Sequence, residues 1–301
     1  FGGHLLDLGS PVGIAGVLYA GNFAETGHPI EYETCPDDEY VGTEPDQEAS
    51  LDPLGLIDQL LFNLDYLGEA FPASPAEFEP FDPRSGTEHL CNTRGLTPLG
   101  EQLVDELMRR GWMIETDHIS RKAAARILEI TRAYDYPVIN GHGSWGGTQA
   151  LRNRIAAQGG STNNFSSVRN GLLRGLLENG RRPRDAAFKV GPYGGAGFGT
   201  DVNGIASLPG HPGDPAENFY PFTSVDGRVV FDVQTTGDHA FSLFEGRGVA
   251  HYGLYPDVIA DMQASSSHSQ AEIDEAIGHL FTSAEAYLRM WERAAGGREI
   301  P

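Results

Sequence analysis

The chain has 301 residues, enough for one large domain or two small ones, and its 40% apolar content excludes broad disorder. Acidic residues outnumber basic ones 42 to 21, and a net charge of −21 disfavours nucleic acid and anionic membrane surfaces as partners. No stretch approaches the run of about 18 apolar residues that a bilayer-spanning helix needs.

Lys122 and Lys189 are the lysines, and every other basic residue is arginine, a bias read as genome composition or salt adaptation rather than as a site. The sequence opens at Phe1-Gly2-Gly3 without an initiator Met or a recognisable signal peptide, and is read as a processed or truncated product. Cys35 and Cys91 allow either one disulfide in a secreted protein or two free thiols. The acidic surface and that pairing suggest a secreted or periplasmic protein, and otherwise a cytoplasmic one.

Residues 1–96 carry little periodicity and many Gly, Pro, Asp and Glu residues, so they read as an irregular, loop-rich insertion or lid. One helix is expected near 53–69, where Leu56, Leu60, Leu61 and Leu64 fall at helical spacing. From residue 97 to 301 helices and short apolar strands alternate. Thr97 caps a helix with Pro98 at its first position and an apolar stripe of Leu99, Leu103, Val104 and Leu107, closed by Gly111. A strand of about five residues falls within 112–118. Ser120 caps a second helix bearing Ala124, Ile127, Leu128 and Ile130, and another strand follows at 137–142. A helix ends near 155–160. The next spans 166–180 with Leu172, Leu173, Leu176 and Leu177, and a strand with its loop follows at 197–204. Residues 205–250 read as one long loop. A last helix over about 270–295 places Ile273, Ile277, Leu280, Ala284, Leu288 and Trp291 on one face. There is no internal repeat.

Strand–helix alternation predicts an α/β fold with a parallel sheet and outer helices, whose chemistry sits at the C-terminal strand ends. His118, His142 and Asp201 all fall at such ends. Imidazole and carboxylate groups converging from separate strands can hold a catalytic divalent ion with a position open for water. Taken singly, each histidine serves equally well as a helix cap or a loop contact. The serines Ser120 and Ser144 lack a G-x-S-x-G elbow. The glycine-rich 191–199 lacks the P-loop Lys-Ser/Thr and reads as a tight approach to a strand. Phe219, Tyr220, Phe222, Tyr252 and Tyr255 are read as core or as an apolar pocket wall. His211, His239, His251 and His268 fall in loops, with His251 a candidate for lining the pocket.

Three motifs together carry a resemblance: Met113-Ile-Glu-Thr-Asp117-His118-Ile-Ser120, Pro137-Val-Ile-Asn-Gly-His142-Gly-Ser144 and Gly199-Thr-Asp201-Val-Asn-Gly204. In order and spacing, over roughly residues 92–205, they resemble the renal (membrane) dipeptidase family of the amidohydrolase superfamily. The resemblance implies a TIM-type (β/α) barrel and a metal-dependent hydrolase of small amides or short peptides. It implies His118 and His142 as ligands of one of one or two zinc ions. Asp201 would bind or orient the nucleophilic water. Arg152 or Arg154 would hold a substrate carboxylate. Asp117 stands directly beside His118 rather than one residue apart, and Val202-Asn203 departs from the usual Asp-turn.

The family's first-strand His-x-Asp or His-x-His pair and its bridging Glu have no counterpart here. His4-Leu-Leu-Asp7 has the wrong spacing, and Glu88-His89 follows no strand. The chain therefore reads as the second half of a barrel, with Phe1-Gly2-Gly3 resembling the loop after a fourth strand. A half barrel leaves open sheet edges, which implies a partner chain or homo-oligomer completing it. Two other functions remain open. One is a catalytically incomplete binding or scaffold fragment. The other is hydrolysis of a lactone, ester or phosphoester at the same site.

Overall fold

A computed structural model describes residues 32–34, 90–117, 119–142, 149–165, 169–184, 188–199, 219–244 and 249–296. These residues form a mixed α/β structure with short strands, and none of their helices is long and apolar enough to cross a membrane. The chain divides into two compact units. One comprises residues 1–138, 144–158 and 294–301, the other 139–143 and 159–293. The helix expected near 53–69 lies outside the described residues.

In the first unit, β1 (Tyr32–Thr34) and β2 (Leu90–Asn92) pair antiparallel with Glu33 opposite Cys91. Helix α1 (Pro98–Arg109) starts as its sequence dictates: the Thr97 hydroxyl accepts from Gly100 N at 3.1 Å and Pro98 fills the first turn. The buried face of α1 is Gly100, Val104 and Met108, whereas Leu99 is 74% exposed. The expected stripe holds at Val104 and at Leu107, which packs half-buried against the core, and fails at Leu99 and Leu103, which are exposed. Strand β3 (Ile114–Glu115) is shorter than the strand of about five residues expected within 112–118. Ser120 caps α2 (Arg121–Ala133): its hydroxyl accepts from Ala123 N at 3.2 Å and donates to the Arg94 carbonyl at 2.7 Å. Helix α3 (Gln149–Ala157) adds Ile155 to a core of Val104, Met108, Ile114, Ile127, Leu128 and Val138. Burying each of the large side chains contributes about 1.5–3 kcal/mol. Tyr136 enters that core and donates to the Trp112 carbonyl at 2.6 Å; burial pushes its phenol up to about 12.

Strand β4 (Val138–Asn140) carries the chain into the second unit, where it pairs parallel with β5 (Ser161–Thr162), Asn140 beside Thr162. β6 (Asn164–Phe165) pairs parallel with β7 (Phe198–Gly199). Helix α4 (Asn170–Gly180) joins β6 to β7 and buries Leu172, Leu173, Leu176 and Leu177, the positions read from its spacing. It begins at Asn170, residues 166–168 of the expected span lying outside the described residues, and packs against α6 (Gln270–Phe281) through Ile273, Ala276 and Ile277.

The segment read as one loop over 205–250 contains two antiparallel hairpins: β8 (Phe222–Thr223) with β9 (Val230–Phe231), and β10 (Gln234–Thr236) with β11 (His239–Phe241). A single 3-10 turn at Tyr252–Leu254 leads into α5 (Tyr255–Gln263), with Pro256 in its first turn. The single last helix expected over 270–295 is two. Thr282 ends α6, its hydroxyl turned back onto the Gly278 carbonyl at 2.7 Å, and α7 (Ser283–Ala295) starts afresh. The break rotates the second half, so Leu288 and Trp291, expected on the buried face, are about half exposed.

Candidate functional site at the parallel strand ends

The C-terminal end of β4 and the starts of β5 and β7 are held together by one side chain. Asn163, between β5 and β6, donates from Nδ2 and from its backbone N–H to the Asn140 carbonyl, at 3.2 and 3.0 Å. Its Oδ1 accepts from Gly197 N at 2.8 Å and from the Ser161 hydroxyl at 3.2 Å. An amide has both donors and acceptors, so it can splice the end of one strand to the start of another. Beside it, the hydroxyl of fully buried Thr162 has no hydrogen-bond partner among the described residues.

His142 stands two residues beyond β4, with its Nε2 out of reach of solvent. Gly199 lies against it. A Cβ at Gly199 would stand 2.7 Å from the His142 Cβ and 3.0 Å from the Gly141 carbonyl oxygen, so only glycine lets β7 pass this close to the backbone at Gly141-His142. Asp201 follows Gly199 by two residues but lies outside the described residues, as do His118 and Ser144. Among the described residues no group of three metal-ligating side chains converges.

The candidate arginines sit on α3 in the first unit. Arg152 is buried, and Arg154 donates to the Ala125 carbonyl at 3.4 Å. His251 caps the 3-10 turn: its Nδ1 accepts from Gly253 N at 3.1 Å, and Phe241 meets its ring edge-on at 5.0 Å. That engagement matches a loop contact and leaves Nε2 for other use. His239 lies on exposed β11. Ser120 is consumed as a helix cap, which removes it as a nucleophile.

A second polar centre escaped the sequence. Tyr220 donates to Asp257 Oδ1 and accepts from Leu243 N at 3.3 Å. Asp257 is 1% exposed and its Oδ2 has no hydrogen-bond partner among the described residues; burial raises its carboxyl above the usual range, offset in part by the Tyr220 hydroxyl. One turn on, fully buried Asp261 pairs with Arg169 at 2.7 Å. Pro256 and Asp257 directly after Tyr255 were the available helix-start signal for α5.

His279 is a further buried titratable group. Its Nδ1 accepts from Gly194 N at 3.1 Å, and Tyr193 packs edge-on against the ring. Burial lowers its pKa, opposed by the neighbouring Glu275 carboxylate.

The chain matches no family model and no curated protein. Among solved structures it is similar to an amidohydrolase from Pseudomonas aeruginosa, at 17% identity and a TM-score of 0.32, over 67% of this chain and 58% of that one. The match thus spans less than two thirds of that protein's length, and so distant a likeness carries no argument about fold or activity.

Proposed function

We propose that the chain is a hydrolase of the amidohydrolase type that cleaves a small amide or short peptide with a metal-activated water, His118 and His142 being metal ligands. The observation that supports this most is the fit of Gly199 against His142. It holds β7 against the backbone and Cβ of His142 at the strand end, and Asp201 follows within two residues, a reach of about 7 Å. The donor set suits one or two zinc-type ions: imidazole nitrogen at one strand end and a carboxylate after another. His118 enters from its motif alone. When bound, such an ion lowers the pKa of a water. Asp201 then accepts the attacking water's proton and returns it to the leaving nitrogen. Arg152 or Arg154 is the candidate for a substrate carboxylate, and His251 for a further substrate contact. A second polypeptide or a second copy would supply the strands that complete a TIM-type barrel.

Metal content and hydrolysis of a dipeptide panel, measured on the same sample, test this reading. His142→Ala should lose bound zinc and activity together while far-UV circular dichroism is unchanged. Full activity in metal-stripped protein would overturn it. Lactones, esters and phosphoesters belong in the same panel, because one activated water can attack several electrophiles. The lack of a first-strand ligand motif favours one other reading, a binding or scaffold fragment, which native mass spectrometry would support by finding a lone, metal-free chain.

A further inference from the structure

Residues 221–241 are an unusual excursion. They form two hairpins, yet none of these residues is buried, and Val225, Val229 and Val230 are 49–70% exposed. The core begins again only at Ser242 and Leu243. The two ends of the excursion meet at its neck, where the Tyr220 hydroxyl touches Asp257 of α5 on one side and Leu243 N on the other. Phe219, Phe222 and Phe244 surround that hydroxyl-bearing ring, with centroids 4.9–6.1 Å apart.

Beyond the neck, attachment among the described residues is slight. The second hairpin rests on the His251–Gly253 turn by one exposed hydrogen bond, Gln234 Nε2 to the Gly253 carbonyl at 2.8 Å, and by Phe241, which lies edge-on to His251 and packs half-buried against the core. The first hairpin stands off α5 across an open apolar cleft of about 680 Å³, lined by Phe222, Val225, Val229, Phe231, Ile259 and Phe281. A segment with its own backbone pairing, no buried side chain and a buried neck has what a unit needs to open locally without unfolding the body.

We propose that residues 221–241 are a flap that opens as one unit about the Tyr220–Asp257–Leu243 latch and gates the His251–Gly253 turn. What the gate serves rests on the reading of His251 as a substrate contact; the flap itself does not.

Native-state hydrogen exchange on the full chain tests the device without any substrate. In the wild type, amides of both hairpins should exchange through a shared opening that the α4 and α6 amides do not share. Tyr220→Phe should speed exchange in both hairpins about tenfold, the size expected for one net hydrogen bond, and leave α4 and α6 unchanged. Gln234→Ala, at an exposed contact that the fold does not depend on, should speed β10, β11 and the Gly253 amide. Hairpin rates unmoved by both variants would overturn the flap, as would acceleration shared equally by α4 and α6. If Tyr220→Phe fails to fold, Gln234→Ala decides alone. Failure to hydrolyse any substrate would remove the proposed function but leave the exchange result standing.

Discussion

Within the second unit, the helix-covered body and the two-hairpin excursion follow opposite rules. The body is held by side chains that touch no water: Leu172, Leu173 and Leu176 of α4 are fully buried against Ile273, Ala276 and Ile277 of α6. The excursion is held by backbone pairing and by its neck. In the body, sequence periodicity and burial agree, so changes there should act on the whole unit. In the excursion, local turn chemistry sets the shape, so changes there should stay local.

Function offers the sharpest contrast. His142 sits at a strand end of the body and His239 on the outer hairpin. His142→Ala should lower kcat/KM by more than the roughly 10–100-fold that removing an outer-shell partner of a metal site produces, and His239→Ala should leave it unchanged. Equal effects in a dipeptide assay would erase the distinction.

Stability comes next. Leu176→Ala should destabilise the unit by about 2–5 kcal/mol in denaturant unfolding, because it empties a fully buried position. Val230→Ala, 70% exposed, should fall within about 0.5 kcal/mol of wild type.

Glycines sharpen the same line. A Cβ at Gly180 would meet the His279 ring at 2.3 Å, so Gly180→Ala should overpack the body by about 1–3 kcal/mol. At Gly237 no atom lies within 4 Å but φ is +60°, so Gly237→Ala should show backbone strain alone, about 1 kcal/mol, read as faster exchange in β10 and β11.

The smallest effect is in pH. Burial lowers the pKa of His279, so its stabilising contribution is complete above 6.5, its ordinary value, and is lost as pH falls through the lowered folded value. Asp257 runs the other way. Its raised carboxyl contributes fully below 3.8 and loses that contribution as pH rises through the folded value. Asp257→Asn should therefore flatten the fall in the denaturant midpoint as pH rises from 3.8 through the folded value. An unchanged slope would mean that Asp257 titrates as it would in the unfolded chain.

Much of the body was legible in advance because its signals are local. Thr97 and Ser120 cap α1 and α2 through the hydroxyls read from the sequence, and the leucines of α4 are buried where their spacing put them. The hairpins were legible too and were passed over. Gly237-Asp238 is a two-residue hairpin signal, and Thr236 does pair with His239 around it. Asp226-Gly227 marks the other turn, with Gly227 at φ +73°. Of the site, the motif placed His142 after a strand, and the structure does so; nothing in the sequence marked Asn163, Tyr220 or Asp257.

The sequence by itself determined where α1 and α2 start, that the leucines of α4 are buried, and that parallel strands alternate with helices. Caps, turns and periodicity act over a few residues, so their energetics are written locally. Tertiary structure alone decided that Leu99 is exposed, that the last helix breaks at Thr282, and that Gly199 must yield to His142. It also brought Tyr220, Leu243 and Asp257 to one point. Each depends on a neighbour distant along the chain, and period and propensity carry no information about which surface arrives there.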